Sequence, residues 1–516
     1  MESNKGEIIT LQAGPEANRV CAHFWNLQEF GFLNKPGTNE CQFPFTYEVL
    51  FDDGTREPRP HALAIDVREV VDFGTEFDST LMPTPLDIPS WNTQVDKVVR
   101  SVSTSGKNEF LHSNWTNCLS LLARRTWFHD DILLKLPVSL QSIPEKSTLN
   151  GLHQSDSTFR LSTFTEGQNV FRSGSRVADE CDDRIRRISE RCSLPNSFQL
   201  VVNAEDGFSG VGSQLLEYIT EEFPKAFIFS VPVYNSSIVS HLDARLKKIA
   251  VLNQLCLLNV LENGDLLSHG CWSPLDVSQL YDHFHPCKKM CVLASVIDTV
   301  TTPSKLAFNY GGMRLDNLFS AINFAQGRKM LTVQTGVNCN EMMENRLSWY
   351  NLNPYYNQGK LIAGENVPPE PVLYRLLMSR GIKNSALMND MLNIFSQTAN
   401  SHKSVNNSPI DIDIPYLCSS ESIHSVYSLP NYPLQTGITK QTVLSSTYCQ
   451  QYANTHMTCV VDIPSRNSYE AKILEKLVKS LLVHKSHPLD SYMELETWSD
   501  ILESIQTRLV DSYSNE

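Results

Sequence analysis

A chain of 516 residues is too long for one ordinary domain, and its 41% hydrophobic content suffices for two or three packed cores. Its 57 acidic against 43 basic residues give a formal net charge of -14, which argues against nucleic-acid binding, whose footprint is basic. Thirteen scattered cysteines with no C-x-x-C pair read as reduced thiols, not as a zinc ribbon or a disulfide scaffold. With no apolar run of bilayer length, and an N-terminus that lacks a signal-peptide core, the expectation is a soluble protein that docks on a membrane peripherally if at all.

In chain order, Glu7 to Leu11 reads as a strand, Gln12-Ala-Gly-Pro-Glu-Ala-Asn18 as a turn, and Val20, Phe24 and Leu27 as one face of a helix. Ala62 to Asp66 reads as extended and ends on a carboxylate. Leu81 to Pro89 and Leu140 to Asn169, weakly periodic and rich in Pro, Ser or Thr, read as inserted surface loops. Trp115 to Ile132 has helical spacing with a basic pair, Arg124-Arg125, and Ala178 to Cys192 is a charged helix whose mixed signs support i,i+4 pairs.

The most informative stretch runs from Phe198 to Phe223. A β-favouring run, Phe198 to Val202, meets a turn rich in Gly and Ser, and beyond it Leu215, Leu216 and Ile219 recur at helical spacing. Such a turn can aim backbone N–H groups and a helix dipole at a phosphate. The other reading is a tight strand-to-helix turn, which the loop alone favours because Glu205 and Asp206 stand where phosphate would sit.

Past that point, Ala226 to Val233 reads as a buried strand, Ile238 to Leu258 as one long helix, and Val292 to Val300 as the end of an apolar helix. This order argues for a mostly parallel sheet covered by helices. Thr302-Pro303 reads as a boundary and Lys329 to Gln334 as the start of a second α/β region. Ser396 to Pro409 reads as a loop, and Tyr469 to Val483 and Met493 to Val510 as amphipathic helices. His283-x-His285 with Cys287 and Cys291 has poor metal spacing, and Ser209 lacks the frame of a nucleophile elbow, so no metal site and no catalytic residue is expected.

Several islands resemble the tubulin superfamily, and most closely the Misato family of tubulin-like proteins. They are Ile8 to Gly14 with Ala22-His23-Phe24-Trp25-Asn26, then Arg59 to Asp66, Leu194 to Gln199, the loop Asp206-Gly-Phe-Ser-Gly-Val-Gly212, and Asp298-Thr-Val-Thr-Thr-Pro303. The resemblance covers about residues 7 to 335. It implies an α/β, tubulin/FtsZ-like fold: a Rossmann-type N-terminal domain with a parallel sheet over residues 1–275, a core helix at 276–300, an intermediate α/β domain at 301–435, and C-terminal helices at 436–516.

By the same resemblance, Gly14, Asn18, Asp66, Gly207, Ser209, Gly210, Gly212 and Ser213 line degenerate nucleotide loops. Pro15, Glu16, Glu205 and Asp206 depart from the superfamily in ways that weaken GTP binding, and Phe319 falls on the slot of the hydrolysis-activating glutamate. The implied role is non-enzymatic, with no bound cofactor. It concerns mitochondrial distribution, morphology and inheritance of mitochondrial DNA, in the cytoplasm and at the mitochondrial outer membrane, with tubulin and the cytosolic chaperonin as partners and a link to spindle assembly. The protein is expected as a monomer or small complex that docks through 140–169 and 396–409. The rival expectation is a cryptic GTPase that polymerises.

Overall fold

The computed structural model describes residues 6–33, 43–50, 54, 56–67, 132–136, 161–172, 174–242, 244–263, 269–276, 286–305, 314–324, 330–337, 348–354, 372–382, 411–419, 442–444, 457–464, 476 and 503. The expectations for Leu81 to Pro89, most of Trp115 to Ile132, His283 and His285, and Ser396 to Pro409 lie outside these residues. So does nearly all of the two C-terminal helices.

The chain begins with β1 (Glu7–Ala13), buried from Ile8 onward as a central parallel strand must be. The turn after it is far shorter than the seven residues expected. Gly14, at a φ of 101° that only glycine adopts freely, makes the bend, and Pro15 opens α1 (Pro15–Leu33), where its fixed φ and missing N–H suit a first helical turn. The hairpin β2 (Thr46–Leu50) and β3 (Arg56–Pro60) leads into β4 (Ala62–Val67), whose six residues are all buried. Next come β5 (Leu133–Leu136), α2 (Phe164–Val170), α3 (Arg176–Arg191), β6 (Pro195–Asn203), α4 (Phe208–Glu222) and β7 (Phe227–Tyr234).

The single helix expected from Ile238 to Leu258 is two, α5 (Ser236–His241) and α6 (Ala244–Asn263), because Leu242 turns extended with ψ 159°. After β8 (His269–Trp272) and β9 (Leu275–Asp276) comes the apolar helix α7 (Pro286–Val300). Thr302-Pro303 does not form an exposed joint: it begins the short α8 (Thr302–Lys305), buried throughout. There Lys305 pairs with Asp298, both at most 2% exposed, and Gln28 Nε2 donates to the same Asp298 oxygen at 2.7 Å. The remaining elements are α9 (Leu315–Phe324), β10 (Met330–Val337), β11 (Ser348–Asn351), β12 (Val372–Ile382), β13 (Asp411–Ser419), β14 (Thr442–Leu444) and β15 (Met457–Pro464).

The strands join in the order β14-β13-β12-β15-β10-β8-β7-β6-β1-β4-β5. From β5 to β10 every neighbour is parallel, whereas β15 runs antiparallel to both β10 and β12. The second α/β region therefore continues the first sheet, through Met330 opposite Cys271 and Leu331 opposite Trp272. Helices cover both faces. On one, Phe24, Trp25, Val296 and Ile297 of α1 and α7 pack with Phe229 and Trp272. On the other, Ile185, Leu215, Ile219 and Leu255 of α3, α4 and α6 pack with Leu11, Leu200 and Val202. This is the α/β architecture with a mainly parallel sheet that the sequence implies.

Candidate functional site

Because β1 and β6 are parallel, with Ala13 opposite Val202, the loops that follow them leave the sheet side by side at its carboxyl edge. Asn203, the last residue of β6, ties them together. Its Oδ1 accepts from Ala17 N at 2.8 Å, and its Nδ2 donates to Asp206 Oδ2 at 3.0 Å. Gly14 makes this approach possible, since a Cβ there would lie 2.6 Å from the Asn203 side chain. The end of β4 is drawn in by Asn18, whose Nδ2 donates to Ile65 O at 3.1 Å and Asp66 Oδ2 at 2.9 Å. Gly14, Asn18 and Asp66 thus meet the Gly207 to Ser213 segment at one crevice. Asn203, which binds the loops together, went unnoticed in the sequence, where a lone Asn at a strand end gives no signal.

The glycine-rich segment is less of a loop than its composition suggests. Helix α4 starts at Phe208, so Ser209, Gly210, Gly212 and Ser213 lie on its first two turns. Every backbone N–H from Gly207 to Val211 has an internal acceptor. Gly207 donates to Leu161 O, Phe208 to Asp206 Oδ1, Ser209 to Asp206 O, and Gly210 and Val211 to Gly207 O. The hydroxyls are also engaged, Ser209 with Asp206 O at 2.6 Å and Ser213 with Gly210 O at 2.8 Å. A helix N-terminus ordinarily leaves four N–H groups for an anion, and here the chain supplies an acceptor of its own, the Asp206 carboxyl.

The glycines serve close packing. A Cβ on Gly210 would fall 1.9 Å from Phe164 O, and one on Gly207 2.7 Å from Thr163 O, so α2 lies directly against the start of α4. Gly212 faces Val202 in the same way, at 2.6 Å. This corrects the expectation of a surface loop up to Asn169: from Phe164 onward it is a helix, begun by a capping box in which Thr163 and Glu166 satisfy each other's backbone N–H. One face of that helix, with Phe164 and Gly167, is packed against α4, while Glu166 and Asn169 stay exposed. Asn253 of α6 fastens the join, its Oδ1 accepting from Phe164 N at 2.8 Å and its Nδ2 donating to Ser162 O and Glu205 O.

The crevice is acidic and buried. Glu16, Asp66, Glu205, Asp206 and Asp276 are all at most 7% exposed. Burial pushes the Glu205 carboxyl well above the usual range, and the neighbouring Asp206 and Glu16 push it further. One Glu205 oxygen, Oε2, has no hydrogen-bond partner. Burial likewise lifts Asp206, to about 7, although the bonds from Asn203 and Phe208 pull it down and Asp66 and Glu16 push it up again. Phe319, on α9, is fully buried between Phe227 and Phe229, with ring centroids 5.5 and 4.5 Å away, and so belongs to the core.

A guanine nucleotide does not fit these residues. Its phosphates would need the N–H groups that Asp206, Gly207 and Leu161 already accept from, and would meet a cluster of buried carboxylates.

The parallel sheet with helices on both faces, and two glycine-bearing loops meeting at its carboxyl edge, defines a tubulin-like protein; accordingly residues 137–306 match the Tubulin domain. Residues 6–73 match the Misato Segment II tubulin-like domain, so the chain carries two tubulin-like segments, the first of Misato type. It is similar to Protein misato homolog 1 of Mus musculus, 22% identical over 65% of this chain and 64% of that one. Protein misato homolog 1 of Danio rerio is 24% identical over 51% of each chain, and Protein misato of Drosophila melanogaster 24% identical over 48% of this chain and 49% of its own. The matches thus span roughly half to just under two thirds of these relatives' length.

Proposed function

We propose that this protein keeps the tubulin-like scaffold without its nucleotide chemistry and acts by binding other proteins. The observation that carries this reading is the start of α4, where the Asp206 carboxyl takes the N–H of Phe208 and the backbone carbonyls of Leu161, Asp206 and Gly207 take those of Gly207, Ser209, Gly210 and Val211. On this reading the protein is not an enzyme and holds no cofactor. The Misato kinship supports a role in mitochondrial distribution, morphology and mitochondrial DNA inheritance, in the cytoplasm and at the mitochondrial outer surface, with tubulin and the cytosolic chaperonin as partners. Among the described residues no helix is long and apolar enough to cross a membrane, so any attachment through them is peripheral. Depleting the protein in its own cells and imaging the mitochondrial network tests the role. A disturbed network restored by the full chain supports it, and an unchanged network overturns it.

A further inference from the structure

At the opposite, amino-terminal edge of the parallel sheet, three side chains from distant parts of the sequence meet. Glu7 opens β1, His61 directly precedes β4, and Cys192 caps the end of α3. Cys192 Sγ lies 3.4 Å from His61 Nδ1, and Glu7 Oε1 lies 3.6 Å from His61 Nε2. One ligand atom from each residue falls within 4.8 Å of the other two. Tetrahedral zinc, with bonds of about 2.0 to 2.3 Å, sets its ligand atoms about 3.3 to 3.8 Å apart, so the side chains must draw in by up to about 1 Å to share an ion on a single imidazole nitrogen.

The surroundings hold these groups in place. Backbone N–H groups of Ser193 and Leu194 donate to Glu7 Oε2, which fixes the carboxylate and leaves Oε1 turned toward the imidazole. His61 is anchored by its own backbone, donating to Phe45 O and accepting from Thr10 N, and its ring packs on Tyr47 at 5.1 Å. Its Nε2 is buried and has no hydrogen-bond partner, an uncompensated acceptor or donor that a ligand would satisfy. Glu7 is the open side of the cluster, with a fifth of its side chain exposed. The crevice chemistry described above uses none of these residues.

We propose that Glu7, His61 and Cys192 form a binding site for a divalent transition ion, zinc in the first instance, with three protein ligands and a fourth position open to water. Sulfur, imidazole and carboxylate together suit zinc and exclude magnesium or calcium, which take oxygen ligands. On binding, the Cys192 thiol releases its proton to solvent. The thiolate and the Glu7 carboxylate then balance the two charges of the ion. The ion would fasten the end of α3 to β1 and to the segment ahead of β4, so it acts as a clamp on the fold and not as a reaction centre.

The test uses the full chain, stripped with a chelator and titrated with zinc, and separately with cobalt as a spectroscopic stand-in. Expected are about one zinc per chain, a rise in melting temperature with zinc, and a thiolate-to-cobalt charge-transfer band. Cys192→Ser abolishes the band and weakens zinc binding by about ten-fold or more. Because Cys192 is buried and its variant can fail to fold, Glu7→Gln at the open side is the second variant, with the same loss of affinity and of the zinc-induced melting shift. No band and no shift in the parent chain overturn the proposal. So does binding that is unchanged in both variants, which would place the ion on other cysteines.

Discussion

Asp206 Oδ1 accepts the backbone N–H of Phe208 at 3.0 Å, so the first residue of α4 is satisfied by a carboxylate only two positions before it. Asp206 therefore does inside the chain what a bound phosphate does in a nucleotide loop, and it does so at a fixed energetic cost of burying charge beside Glu205.

That cost makes stability depend on pH in a definite direction. Asp206 keeps its proton up to about 7 in the fold, against an ordinary value near 3.8, and Glu205 is raised in the same sense. The folded state then binds more protons than the unfolded one between about pH 4 and 7, so these carboxyls lower stability as pH rises through that window. Buried His23, lowered to about 4, works oppositely and costs stability as pH falls below about 6.5. A difference measurement separates the two. Glu205→Gln, which removes one charge and spares the Asp206 bonds, is expected to exceed the parent chain by on the order of 1–3 kcal/mol at pH 8, with the gap narrowing by pH 5. Urea unfolding of both proteins at the two pH values checks this, and an equal gap at each would contradict it.

Titration calorimetry of nucleotide-stripped protein with GTP and magnesium should show no saturable heat, because the donors a phosphate needs are engaged within the chain. Micromolar affinity, or purified protein carrying stoichiometric GDP, would refute the reading of a closed site.

If, as proposed, its carboxyl edge takes no nucleotide, the protein should not assemble head to tail, since a heterologous contact would have to be large to hold without one. Ultracentrifugation with GTP is expected to leave the protein in the supernatant. Filaments seen by electron microscopy at micromolar concentration would be decisive against this.

Gly210→Ala probes the packing of α2 on α4. The added Cβ would meet Phe164 O at 1.9 Å, and a backbone atom cannot move aside cheaply. A destabilisation of about 1–3 kcal/mol is expected, with faster proteolytic cleavage near Phe164 to Val170 as α2 lifts away. A variant as stable and as protease-resistant as its parent would show that α2 does not sit there.

Lys305→Met leaves the fully buried Asp298 without its ammonium, and breaking a buried pair by one partner costs about 3–5 kcal/mol. A second change, Asp298→Asn, should recover part of the loss, because Gln28 can still bond a neutral amide. Thermal unfolding of the single and double variants reads this, and a single variant within about 1 kcal/mol of the parent would show that the pair contributes little.

The two strand–loop–helix units were legible because largely apolar runs, Ile8 to Leu11 and Phe198 to Val202, each broken by one polar residue, mark strands buried on both faces, and because Gly14 marks a bend. The start of α4 was not. Gly210 and Gly212 look like loop formers in one dimension, while their reason is three-dimensional, the close passage of Phe164 and Val202. Helix α2 did leave a local signal in Thr163-Phe-Thr-Glu166, masked by the Ser- and Thr-rich surroundings. The crevice residues could be named from the loops, but Asn203 and Asn253 act through contacts between segments that no spacing encodes. The Glu7, His61 and Cys192 cluster is the extreme case, since 131 residues separate the last two.

The position of β1 has a consequence for how the chain comes to be folded at all. It precedes both of its neighbours along the chain, yet it sits between β4 and β6, and its pairing with β6 sets Ala13 against Val202. During synthesis at about 5–20 residues per second, one hydrogen-bonding edge and much of the apolar surface of β1 must wait on the order of ten seconds or more for that neighbour. A strand of such high contact order is an open template for mispairing throughout that interval, so shelter for the nascent chain is a requirement of this topology itself.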